Sequence, residues 1–116
     1  MNLEELYGKI GGSYDAVLSR LGSEDMIRRF VMKFAGDPTF GNLARGFSEG
    51  DAEAAFRAAH TLKGVCSNLG FDRLFTTASE LTEDLRPRKF TDRSEALFSA
   101  VKSEYDALIA AISDAE

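Results

Sequence analysis

Between one stop signal and the next, this chain repeats its apolar residues at three- and four-residue spacing, and no stretch sustains the alternation of a half-buried strand. The chain must therefore fold as packed helices. Leu3, Leu6, Tyr7 and Ile10 mark a short amphipathic helix before Gly11-Gly12. Tyr14, Val17, Leu18 and Leu21 mark another, between the cap Ser13 and the stop Gly22. Ser23 caps a third, with Met26, Ile27, Phe30, Val31 and Phe34 on one face. Gly36-Asp37-Pro38 breaks that helix, since proline fits only the first turn of a new helix and Asp37 can cap it. Phe40, Leu43, Ala44 and Phe47 then carry the pattern to Gly50.

Three longer segments complete the chain. Asp51 caps a helix running to about Leu69 and stopped by Gly70. The next spans about Asp72 to Arg86 and is closed by Pro87. The last spans about Asp92 to Ser113, opens with Asp92 and Glu95 at capping-box spacing, and turns Leu97, Val101, Leu108 and Ile112 inward. The broken segment Ser23 to Glu49 and these three helices, joined by short loops, predict an all-α, antiparallel up-and-down four-helix bundle. Residues 1–22 form a short helical extension packed at one end, and the whole of 1–116 makes a single domain.

Composition narrows the partners. At 116 residues the chain can bury its own core without disulfides or metal. A net charge of -5 and the lack of any Lys/Arg-rich run argue against nucleic acid and anionic membranes. No apolar run reaches the roughly 18 residues of a membrane span, and Met1-Asn2-Leu3-Glu4-Glu5 has no signal-peptide character, so a cytoplasmic location is expected. A short chain of this kind is compatible with a monomer. Cys66, the single cysteine, falls on the inward side of its helix and reads as a packing residue.

The candidate chemistry centres on His60, the one histidine, in Ala59-His60-Thr61-Leu62-Lys63-Gly64. With about 100° per residue, Glu53, Phe56, Arg57, Lys63, Gly64 and Ser67 all lie within roughly 60° of its direction. Ala55, Ala58, Ala59, Leu62, Val65, Cys66 and Leu69 form the opposite, apolar band, so His60 points to solvent. A glycine inside a helix costs about 0.5 to 1 kcal/mol relative to alanine. On the same face as an exposed imidazole, Gly64 would let another protein's surface come close, and Lys63 would steady phosphate oxygens there. Phe56 fits either this open face or the core against the Phe40 to Phe47 helix.

The run His60 to Gly70, His-Thr-Leu-Lys-Gly-Val-Cys-Ser-Asn-Leu-Gly, resembles the signature of histidine-containing phosphotransfer (HPt) domains. Phe71, Leu74, Ala78, Leu81 and Leu85 resemble the family's core positions on the next helix. Thr82 departs from the family, which often has an acid directly after the leucine; here Glu83 follows one place later. The resemblance implies that His60 is the phosphorylated nucleophile, with Lys63 supplying charge, Gly64 access, and Phe56, Arg57, Lys63, Gly64 and Ser67 the partner-docking face. It further implies a response-regulator receiver domain and/or a sensor histidine kinase as partner, with Mg²⁺ on the receiver and no cofactor or metal in this chain.

An imidazole, with an ordinary pKa near 6.5, is a neutral nucleophile at physiological pH. Phosphoryl transfer depends mainly on positioning and charge, so most of the machinery can belong to the partner. The chain has no glycine-rich phosphate loop and no kinase signature, which predicts a phosphoryl carrier without kinase activity of its own. A general-base enzyme would need an acid orienting His60, and Glu53 lies two turns away. Metal binding lacks ligand spacing. A helical module that docks a receiver or kinase without phosphotransfer is the remaining alternative.

Overall fold

The computed structural model describes residues 1–116 as seven helices: α1 (Leu3–Ile10), α2 (Tyr14–Leu21), α3 (Glu24–Ala35), α4 (Thr39–Ser48), α5 (Ala52–Leu69), α6 (Asp72–Asp84) and α7 (Ser94–Ala115). The stop signals of the sequence set most of the boundaries. Ser13 Oγ accepts from Ala16 N at 3.3 Å, Ser23 Oγ from Met26 N at 3.2 Å, and Asp51 Oδ1 from Ala54 N at 3.0 Å, each satisfying one of the unpaired amides of a first turn. Gly70 closes α5 at φ 69°, a left-handed conformation that glycine adopts without strain.

In the bundle α4 lies along α5, α5 along α6, and α6 along α7, while α3 touches α5 and α7. The α4–α5 crossing is close because Gly46 has no side chain: a Cβ there would stand 2.8 Å from the backbone nitrogen of Ala55. Across the bundle α4 meets α7 through aromatic rings, with Phe40 stacked on Tyr105 at 4.1 Å and Phe47 on Phe98 at 4.5 Å. Helices α1 and α2 share the same core. Leu3, Leu6, Tyr7, Ile10 and Val17 are buried in one cluster with Leu43, Leu62, Leu81 and Ile112. Phe71, Leu74, Ala78, Leu81 and Leu85 are buried in it as well. No helix is long and apolar enough to cross a membrane.

Four details differ from the sequence-based expectation. Helix α6 ends at Asp84, short of Arg86, where a tighter turn takes over and Arg88 N donates to Leu85 O at 2.8 Å. Helix α7 begins at Ser94, and the Asp92–Glu95 capping box does not form. The Ser94 side chain is buried, donating to Asp84 Oδ2 at 2.5 Å and accepting from Thr91 N at 2.9 Å, which anchors the helix start two residues later. Asp37 caps α4 from just before the helix, accepting from Thr39 N at 2.8 Å, while Pro38 occupies the cap position. Phe30, expected on the inward face of α3, is 37% exposed, while Ile27, Val31 and Phe34 are the residues of α3 buried in the core.

Candidate functional site

Helix α5 presents its exposed stripe as the sequence requires, because Ala55, Ala58, Ala59, Leu62, Cys66 and Leu69 are drawn into the core on the other side. Val65 is half-buried at the edge of that band. His60, Arg57, Gly64 and Ser67 are exposed, and Lys63 is half-buried. A Cβ at Gly64 would meet nothing within 4 Å. Gly64 therefore has no packing role of the kind Gly46 has, and the surface beside His60 is open.

Phe56 must be taken off the exposed docking face. Its side chain is 6% exposed, and the Arg88 guanidinium lies over its ring at 3.9 Å from the centroid. The ring remains a neighbour of the site, standing 5.9 Å from the imidazole, centroid to centroid. Glu53 is held by two arginines, Oε1 by Arg57 at 2.9 Å and Oε2 by Arg88 at 3.3 Å, so it is paired away from the histidine. The exposed Ser67 lies where α2 meets α5, and its carbonyl accepts from Arg20 Nη2 at 3.0 Å.

Helix α6 and the turn after it add charges that the helical register of α5 does not reveal. Glu83 and Arg86 form an ion pair. The Glu83 carboxyl is held below the usual carboxylate range, first by the Arg86 hydrogen bond, with the charges of Arg86, Lys63 and His60 adding to it against desolvation. The Arg86 guanidinium also lies 5.6 Å from the Phe56 ring centroid. The signal for these neighbours is the α5–α6 turn: residues at similar distances before and after Gly70 face each other in an antiparallel pair. On the other flank a shallow groove of about 360 Å³ between α4 and α5 is lined by Thr39, Asn42, Arg45, Glu49, Arg57 and Thr61. No group of three or more His, Cys, Asp or Glu side chains gathers as a metal site would require.

An exposed imidazole, a lysine one turn on and an open glycine thus share one face of a bundle helix, and a family model described as Hpt domain matches residues 34–114. The chain belongs to the HPt family. HPt domains are phosphocarrier modules of phosphorelay signalling that interact with receiver domains and kinases. The match contains every residue of the face around His60 and begins inside α3. Helices α1 and α2 lie outside the matched HPt segment yet share its core. No curated protein and no solved structure gives a significant match.

Proposed function

We propose that His60 accepts a phosphoryl group from the phospho-aspartate of a receiver domain, or from a kinase, and passes it to another receiver. The observation that carries this reading is the shared face of α5, where His60 is exposed and Gly64 leaves the adjoining surface empty within an HPt segment. In the transfer an imidazole nitrogen attacks phosphorus, an N–P bond forms, and the O–P bond to the aspartate breaks to release its carboxylate. Lys63 offers positive charge to the phosphoryl oxygens as the bond shifts. Arg57, Gly64 and Ser67 form the surrounding contact surface. Mg²⁺ belongs to the receiver in this scheme, and the chain works as a cytoplasmic monomer with no cofactor and no kinase activity of its own.

The test is incubation with a ³²P-labelled phospho-receiver in Mg²⁺. The expected product is an acid-labile, base-stable label on His60 that is absent from His60→Gln, a variant whose melting temperature stays nearly unchanged because the side chain is exposed. Full labelling of His60→Gln would reject the assignment of the nucleophile. Receiver binding with no label on the native chain would replace the relay with a docking module.

A further inference from the structure

The turn between α6 and α7 holds a residue in an unusual state. Arg88 is the one non-glycine residue with positive φ, at 60°. Arginine adopts that left-handed conformation at a cost, and it persists where surrounding contacts enforce it. Those contacts are specific. Its guanidinium lies 3.9 Å from the centroid of the Phe56 ring, its Nε is 3.3 Å from Glu53 Oε2, and its Nη1 donates to Arg86 O at 2.6 Å. Two residues on, Phe90 packs against Phe47 at 5.0 Å and pins the same turn to α4. Thr91 and Ser94 tie its far end to Asp84, with donor–acceptor distances of 2.7 Å and 2.5 Å.

The side chain beneath this clamp is the one the imidazole stands against. Side chains on a helix lean towards its N-terminus, so His60 leans over Phe56 one turn earlier. The two rings are 5.9 Å apart with 37° between their planes. Phe56 is seated in the buried core, and of the two guanidinium groups near its ring Arg88 is the closer, at 3.9 Å against 5.6 Å for Arg86. We propose that Arg88 is a positioning residue for His60, clamping Phe56 so that the imidazole meets its phosphoryl donor in one orientation.

This inference rests on the relay reading, and its test separates the two. Arg88→Gly removes the guanidinium while keeping a residue that takes positive φ freely. Arg88→Lys keeps a cation for Glu53 but removes the planar group at 3.9 Å, leaving only the Arg86 guanidinium at 5.6 Å from the ring. Each variant is compared with the native chain in three ways: melting temperature, NMR signals of the His60 ring, and single-turnover acceptance from a phospho-receiver over a range of its concentrations. In Arg88→Gly the fold is expected to be kept and the His60 ring signals to move towards those of an unstructured histidine. The saturating acceptance rate is expected to fall about five-fold with half-saturation unchanged, as for a loss of orientation rather than of binding. Arg88→Lys is expected to restore only part of the rate. A folded Arg88→Gly chain with native His60 signals, or with shifted signals and the native rate, overturns the proposal. Should the glycine variant unfold, Phe56→Leu removes the same wall from within the helix and is judged by the same readouts. If the native chain accepts no phosphoryl group, the relay reading fails while the ring signals still decide whether Arg88 orders the imidazole.

Discussion

The phenolic hydroxyl of Tyr7 donates to the carbonyl oxygen of Leu69 at 2.6 Å, joining the first helix to the last turn of α5. That carbonyl belongs to a helix end whose last turn has no basic residue of its own. Arg20 of α2 supplies the missing charge, donating to the carbonyls of Asn68 at 3.1 Å and Ser67 at 3.0 Å. Burial raises the Tyr7 pKa well above the ordinary phenol value, which keeps the hydroxyl a donor. Tyr7→Phe is therefore expected to cost about 1 kcal/mol and lower the melting temperature by a few degrees. An unchanged midpoint in thermal unfolding would show that the α1 contact does not hold the end of α5.

Two glycines on neighbouring helices predict opposite outcomes. Gly64→Gln enters open space, so it gains helix propensity and stability stays level or rises by up to about 1 kcal/mol. It is expected to block transfer from a phospho-receiver while small phosphodonors such as phosphoramidate still reach His60. Gly46→Ala pushes a Cβ to 2.8 Å from Ala55 N and is expected to destabilise by about 1 to 3 kcal/mol through the α4–α5 crossing. Normal receiver transfer in Gly64→Gln would remove Gly64 from the docking surface.

Lys63 is expected to act on rate and not on fold. Its charge reaches Glu83 across the α5–α6 seam, and it is half-buried beside the imidazole. Lys63→Ala should slow acceptance by about ten-fold or more with little change in melting temperature. Native kinetics in this variant would leave Lys63 as a solvated charge with no part in transfer.

Much of the site is legible in the chain because it depends on one helix. Register alone fixes which residues share a direction with His60, and Asp51 and Gly70 bound the helix as expected. Phe56 escapes that logic. Its register points outward, yet it is buried in the core cluster, with Arg88, a residue brought back by the turn after α6, over its ring. Phe30 shows the converse, an inward register that the neighbouring helices leave partly open. Periodicity assigns faces, whereas cover comes from contacts distant in sequence. The start of α7 departs from its local pattern for a related reason: Ser94 is held by Asp84 of the preceding helix, and no nearby residue announces that bond.

Cys66 gives the fold a dependence on alkaline pH. Burial alone pushes its thiol up to about 12 from a starting value of 9.0, so the folded state favours the neutral form. A raised folded pKa contributes stability that is complete below pH 9.0 and lost as pH climbs towards about 12. Alkylation by iodoacetamide at about pH 8, where the unfolded thiol is partly ionised, is expected to be slow in the native chain and fast in urea. Rapid native modification would place the thiol at the surface.

The exposure of His60 also governs how long a message could last. No wall of this protein encloses the imidazole, so a phosphoryl group carried there would stand in bulk water from the moment the donor leaves. Storage time would then be a race between hydrolysis and the next collision, so the abundance of acceptors would join the carrier's own transfer rate in deciding how much of the signal arrives. A carrier of this kind would transmit faithfully in a crowded network and forget in a sparse one.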